Sequence, residues 1–291
     1  MGKPQVLIIT GPTATGKSDL AVYLAKKLNG EIISADSRQV YKYLNIGTGK
    51  ITKKEMSGIP HHLLSIVSPS DQFTASEYAK RASLAIEKIL SKGKLPIVVG
   101  GTGFYIDALT CRAQFPDVPP NKELRERLSK LSAGKLLEML KKKDPERAKT
   151  VDPHNKVRLI RALEIISILG NVPAYKPVKP SYKFIYIGLK PDDLDQKIKN
   201  RLLKRLPEMI REAKTLLKQS KLSYKRMHEL GLEYRFLAMY LQGEITKEEM
   251  INKLYTAIRQ YAKRQMTWLK RNRAIKWFGP EDKKGILNMI R

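Results

Sequence analysis

The feature that most constrains this chain is the octapeptide Gly11-Pro12-Thr13-Ala14-Thr15-Gly16-Lys17-Ser18. It fits G-x-x-x-x-G-K-[ST], and its setting matters as much as the pattern. Before it stands the apolar, β-branched run Gln5–Thr10, which reads as a buried parallel strand. After it, residues 17–28 place Leu20, Ala21, Leu24 and Leu28 on one helical face, and Asn29-Gly30 stops the helix. Strand, glycine-rich loop and helix together form a phosphate cradle. The glycines let backbone N–H groups converge on phosphate oxygens at a helix N-terminus. Lys17 adds a point positive charge, and the Ser18 hydroxyl suits Mg2+. The loop specifies two or three adjacent phosphates and leaves open whose they are.

The strand–helix alternation continues. Residues 31–35 (EIISA) read as a second buried strand, 74–91 as an amphipathic helix and 96–99 (PIVV) as a third strand. Gly100-Gly101-Thr102-Gly103 then leads into a helix over 104–109. This order predicts an α/β fold with a P-loop NTPase-like parallel sheet. Two proline-rich stretches, 115–121 and 171–181, read as linkers around a wholly helical 122–170. Strand character returns at Lys183–Leu189. Residues 112–181 are therefore expected to be a helical insertion into a discontinuous core of 1–111 and 182–291. The core ends in helical stretches at 192–218, 223–242 and 246–271, with a last strand near 274–278.

Lys and Arg number 56 against 28 Asp and Glu, a net charge of +28. With 42% hydrophobic residues the chain can bury a core, so it is no disordered polycation. The excess is +6 in 1–111, +8 in 112–181 and +14 in 182–291. Basic residues alternate with apolar ones at helical spacing, which puts the charge on folded surfaces. A polyanionic partner follows, nucleic acid ahead of an anionic membrane surface. The single cysteine, Cys111, excludes a disulfide framework or a multi-cysteine zinc site. No run is long and apolar enough to span a bilayer, and the N-terminus reads as strand entry, so the expected location is the cytoplasm. His61-His62 has no cysteine nearby, and packing or hydrogen bonding is the reading preferred over metal ligation.

A phosphate-loop NTPase usually ends another strand in a Mg2+-supporting Asp. Here the third strand ends in Gly100-Gly101-Thr102-Gly103, while the second ends at Asp36-Ser37-Arg38-Gln39. Residues just past the C-termini of parallel strands line the ligand crevice. Asp36 thus either faces the phosphate loop or caps the following turn. Thr102 has a hydroxyl placed to donate to a phosphate oxygen.

Four segments in order, GPTATGKS, ISADSRQVYKYLNIGTGK, IPHHLLSIVSP and VVGGTGFYIDAL, resemble the bacterial tRNA dimethylallyltransferase family. DPERAKTVDPHNKVRLIRALEI is similar to that family's tRNA-contacting segment, and YTAIRQYAKRQMTWLKR to its C-terminal signature. Thr15 and Ser18 replace the commoner Ser and Thr, and 223–235 lacks the usual Gly-Tyr-Lys-Glu, so no role is carried over from 200–240. The resemblance implies transfer of a dimethylallyl group from dimethylallyl diphosphate to the exocyclic amine of the adenine 3′ of the anticodon, tRNA position 37. It implies that residues 11–18 hold a diphosphate with Mg2+ on Ser18, that Thr102 contacts the leaving oxygen and that Asp36 is the base. It also implies tRNA contacts at Asp36, Ser37, Arg38, Gln39, Thr102, Arg125 and Val157-Arg158-Leu159-Ile160-Arg161. Arg158 and Arg161 share a helix face, with pairing to Glu164 or Asp152 as the alternative to tRNA contact. Arg259, Lys263, Arg264, Lys270 and Arg271 are expected to track phosphates from the C-terminal helix, or to be a solvated face. A monomer acting on an anticodon stem-loop is the expectation. A nucleotide or nucleoside kinase, or an RNA-binding ATPase, is the competing reading of the same loop.

Overall fold

The computed structural model describes residues 2–113, 116, 118–174 and 179–290. Both expected linkers fall partly outside the described residues, at 114, 115 and 117 and at 175–178. The chain forms two compact units, Met1–Cys111 with Lys179–Arg291, and Arg112–Val178.

The larger unit is built on one sheet. Among the described residues its strands are β1 (Gln5–Thr10), β2 (Gly30–Ser34), β3 (His61–His62), β4 (Leu95–Val99), β5 (Lys183–Leu189) and β6 (Lys276–Phe278). They lie in the order β3-β2-β4-β1-β5-β6. Every pairing is parallel. Parallel strands need crossovers, and the helices that supply them cover both faces, which is why β1 and β2 are runs of consecutive buried residues. Ile9 pairs with Val99 and Val99 with Ser34, so β1, β2 and β4 end at one edge.

The helices of this unit begin with α1 (Lys17–Lys27), α2 (Lys53–Met56), α3 (Ala75–Leu90) and α4 (Gly103–Leu109). Leu20 and Leu24 of α1 pack on Leu7, Ile9, Ile97 and Ile187 of the sheet. Thr74 starts α3 with a capping box closed by Glu77.

The smaller unit holds α5 (Lys122–Ser129), α6 (Ala133–Lys143), α7 (Pro145–Thr150) and α8 (Lys156–Leu169) around Leu128, Leu136, Leu140, Leu159, Leu163 and Ile166. Glu164 is fully buried among them. Its carboxylate accepts from Arg125 Nε and Nη2, both at 2.8 Å, from the Asn121 N–H at 2.7 Å and from Arg161 Nη1. Burial alone would raise its pKa. The hydrogen bonds from Arg125, Asn121 and Arg161 overcome that and hold it at about 2.

The chain then returns to the larger unit with α9 (Leu194–Lys218), α10 (Tyr224–Leu230), α11 (Leu232–Leu241), α12 (Lys247–Leu269) and α13 (Lys283–Ile290). The stretch expected as one helix over 223–242 is two, because Gly231 adopts φ 72° and breaks it. The elements β3, α2 and α13 were not anticipated. The first two have two and four residues, too few to show a period. Among the described residues no helix is long and apolar enough to cross a membrane.

Candidate active site

The shared edge of β1, β2 and β4 carries the three segments singled out above. The phosphate loop follows β1, Asp36 follows β2 and Gly100–Gly103 follows β4. A cavity of about 630 Å³ opens there, lined by residues 13–19 of the loop, by Asp36–Gln39 and by Gly100 and Gly101. Strand C-termini meet α1's N-terminus at this point, so backbone donors and the positive end of the helix face the same space. Gly16, the residue before α1, sits at φ 81°, a conformation that favours glycine.

Lys17 folds over its own loop, donating to the Pro12 carbonyl at 2.5 Å and to Thr15 Oγ1 at 3.5 Å. Burial, reinforced by the nearby Arg201 charge and opposed by Asp36, lowers its pKa to about 7. Asp36 accepts the N–H groups of Arg38 (2.8 Å) and Gln39 (3.3 Å), both on Oδ1. It therefore caps the turn and lines the cavity as well, which joins the two readings of this residue. Thr102 Oγ1 accepts the Ser37 N–H at 3.1 Å, and the Tyr261 side chain lies beside it. The strand-end loops of β2 and β4 are thus tied together at the cavity.

Several groups here went unnoticed in the sequence. Gln265 of α12 accepts the Thr13 N–H at 2.9 Å and donates to the Gly101 carbonyl at 2.9 Å. Of residues 11–18, expected to hold a diphosphate, Thr13 thus has its amide engaged by Gln265 instead. Arg201 of α9 lines the cavity and donates to the Gly49 carbonyl at 3.3 Å. Glu212 of the same helix accepts the N–H groups of Asn45, Ile46 and Gly47 at 2.9, 2.7 and 2.9 Å, and the Tyr234 hydroxyl at 2.8 Å. It clamps the loop that brings Thr48 and Gly49 to the cavity. The signal for Gln265 lay within the quoted C-terminal signature. Arg201 and Glu212 lie in 200–240, where no role was carried over.

In the smaller unit several residues expected to contact tRNA are buried or paired within the protein, Arg161 by the Glu164 pairing given as its alternative. Leu159 is fully buried, so its side chain is unavailable to tRNA. Ile160 packs against the same core. Arg125 and Arg161 are engaged with Glu164, and Arg161 also donates to the Val118 carbonyl at 2.8 Å. Val157, 77% exposed, and Arg158 face solvent. On α12, Lys263 and Arg264 are exposed, as are Lys270 and Arg271 just beyond, but Arg259 is paired with Asp195 at 2.7 Å. His61 bonds the Ile59 carbonyl and His62 bonds Glu31, at 2.8 and 2.7 Å.

Residues 39–272 match the family model described as IPP transferase. The chain belongs to the IPP transferase family. It is 43% identical to a tRNA dimethylallyltransferase of Caldanaerobacter subterraneus subsp. tengcongensis, over 96% of this chain and 93% of that protein. A tRNA dimethylallyltransferase of Thermoanaerobacter sp. is 45% identical with the same coverage. Among solved family structures, the tRNA delta(2)-isopentenylpyrophosphate transferase of Staphylococcus epidermidis superposes with a TM-score of 0.72 at 36% identity, covering 99% of this chain and 98% of that one. A eukaryotic dimethylallyltransferase acting on tRNA gives 0.78 at 30% identity, covering 97% and 75%.

Proposed function

We propose that this IPP transferase moves a dimethylallyl group from dimethylallyl diphosphate to the exocyclic N6 of the adenosine immediately 3′ of a tRNA anticodon, position 37, as a cytoplasmic monomer. The observation that carries this reading is the convergence of the phosphate loop, Asp36 and the Thr102 loop on one cavity, in a chain of this family.

In the reaction the bond between the allylic carbon and the diphosphate oxygen breaks, and a bond from N6 to that carbon forms. Negative charge grows on the leaving diphosphate. Lys17 and the amides of residues 14–18 meet it at the start of α1, and Arg201 adds a further positive charge at the cavity wall. Preorganised groups of this kind cost no rearrangement as charge develops. Thr102, next to the cavity-lining Gly101 and bonded to the Ser37 N–H, is the residue assigned to the leaving oxygen in this reading. Adenine's N6 is a weak nucleophile because its lone pair is delocalised into the ring. A carboxylate that orients it and takes its proton is typically worth about 10²–10⁴-fold. Asp36 Oδ2 serves that role, since both backbone bonds fall on Oδ1. The adenine reaches the crevice by leaving its stack, and Ser37, Arg38 and Gln39 flank it. Arg158 and Val157 of the smaller unit are the exposed candidates there for tRNA contact.

The donor set fits a hard divalent cation. Ser18, Asp19 and Asp36 line the same cavity with oxygen donors. Among the described residues no cluster of three His, Cys, Asp or Glu forms a closed cage. Mg2+ suits such a site because it keeps waters and binds largely through phosphate oxygens. Ser18 would hold it, and the chemistry it would supply there is neutralisation of diphosphate charge.

The test uses unmodified tRNA with labelled dimethylallyl diphosphate or labelled ATP in parallel. Label entering tRNA from the prenyl donor, with mass analysis finding an adenosine heavier by one five-carbon unit, is expected. Label entering only from ATP overturns the reading in favour of a kinase.

A further inference from the structure

Phe104 plays no part in the chemistry above, yet it stands beside it. It is the second residue of α4, two beyond Thr102 and three beyond the cavity-lining Gly101, and 46% of it is exposed. Its ring meets Trp268 of α12 edge-to-face, with centroids 6.0 Å apart and planes at 89°. Trp268 is fixed in turn. Its Nε1 donates to Asp107 at 2.7 Å, and it packs so closely on Gly103 that a Cβ there would come within 2.3 Å of Cδ1. The Arg271 guanidinium lies 5.0 Å from the centre of the Trp268 ring. The result is a rigid aromatic and cationic platform with an exposed phenyl ring.

The surroundings say what covers it. Between Glu249 and Glu281 the chain has no acidic residue, and Lys263, Arg264, Lys270, Arg271 and Arg273 are exposed. A flat ring flanked by exposed cations, with the one neighbouring carboxylate, Asp107, engaged by Trp268 Nε1, suits a planar base on a phosphate backbone better than an apolar peptide. Unpaired RNA bases are held in this way, on aromatic faces and guanidinium planes. An adenine drawn out of its stack also leaves its neighbours with one uncovered face each.

We propose that Phe104, backed by Trp268 and Arg271, is a stacking site for the unpaired nucleobase next to the acceptor adenine. The site rests on the tRNA reading above. It adds a specificity contact that is sensitive to whether a base is present beside the target, and it is separate from the diphosphate cradle.

The test uses the full chain and an unmodified anticodon stem-loop with 2-aminopurine placed on the 5′ or the 3′ side of the acceptor. In the wild type, binding quenches the probe on one side. Phe104→Ala abolishes that quench and raises KM for the stem-loop about tenfold, while KM for dimethylallyl diphosphate stays within twofold. Phe104→Leu, apolar but without a π face, behaves like Ala, and Phe104→Tyr restores the wild-type values. An abasic site on the quenched side costs the wild type the same factor and costs Phe104→Ala nothing further. Any of three results overturns the stacking site: a quench that persists in Phe104→Ala, wild-type kinetics in Phe104→Leu, or indifference of the wild type to abasic sites on both sides. Normal transfer by Phe104→Ala with loss of binding to a protein partner would point to a protein occupant and overturn it too. A wild type that transfers nothing to the stem-loop overturns the activity itself, and the stacking site with it.

Discussion

The two oxygens of Asp36 are not equivalent, because the Arg38 and Gln39 amides both bond Oδ1. An amide side chain can keep its carbonyl oxygen on those donors while losing the ability to take a proton. Asp36→Asn is therefore expected to preserve the turn, with KM for dimethylallyl diphosphate within about threefold, and to lower single-turnover transfer by about 10²–10⁴-fold. Quench-flow measurement of labelled prenyl entering tRNA checks this, and near-normal transfer by Asp36→Asn would remove the base assignment. Lys17 gives a second prediction at this scale. Burial and Arg201 lower its pKa to about 7 in the free site, and an arriving diphosphate restores the charged form. Above pH 7 binding must then take up a proton, and affinity must fall as pH rises. Calorimetric titration with diphosphate at pH 8, in two buffers of different ionisation enthalpy, should show about one more proton taken up by the wild type than by Lys17→Met. Equal uptake by the two proteins would mean that Lys17 is already charged before the ligand arrives.

Helix α12 explains why the cavity has its shape. Tyr261, Gln265 and Trp268 are spaced four and three apart, so they lie on one face of the helix. Each meets the segment after β4: Tyr261 at Thr102, Gln265 at Gly101, Trp268 at Gly103 and Asp107. Gln265 extends this to the phosphate loop through the Thr13 amide. Gln265→Leu keeps the bulk and leaves the buried Gly101 C=O without that partner, at about 1–3 kcal/mol, and frees the part-buried Thr13 N–H. The expected outcome is a kcat reduced at least tenfold and a raised KM for dimethylallyl diphosphate, with KM for tRNA within about twofold, by steady-state assay. The same element shows what a sequence can reveal. The pattern Gln5–Thr10, then glycines, then Leu20 and Leu24 is local, and local periodicity was enough to place β1, α1 and the phosphate loop. Lys183–Leu189 was legible for the same reason. The bond between Gln265 and Gly101 joins residues 164 apart, and the bond between Arg201 and Gly49 joins residues 152 apart. Neither partner carries a local mark of the other, so the wall that closes the cavity could be read only from the fold.

At the scale of the whole molecule, the charge of +28 has to be divided between cations that hold the protein together and cations that meet a partner. Glu31 and Glu164 mark the first group. Glu31 is nearly fully buried among Lys94, His62 and Lys92, whose hydrogen bonds overcome the effect of burial and bring its pKa to about 2; Glu164 is at about 2 by the same logic. Carboxyl pKa values lowered on folding contribute stability that is complete above the unfolded value of about 4.5 and is lost as pH falls toward 2. Denaturant midpoints across that window should therefore fall in the wild type and less steeply in Glu164→Gln. Arg158 and Arg161, three residues apart on α8, separate the two groups most sharply. Arg161 is tied to Glu164 and to the Val118 carbonyl, whereas Arg158 is exposed. Removing one partner from a buried ion cluster costs about 3–5 kcal/mol, because it leaves charge uncompensated. Removing one phosphate contact leaves the fold alone and lowers the magnitude of the logarithmic salt slope of binding by about one. Arg161→Ala should thus destabilise the protein in urea while hardly changing the slope of log Kd for tRNA against log salt. Arg158→Ala should keep the urea midpoint and flatten that slope. A slope unchanged in Arg158→Ala would take Arg158 out of the tRNA surface, and a flattened slope in a stable Arg161→Ala would show that the Glu164 cluster opens to bind RNA.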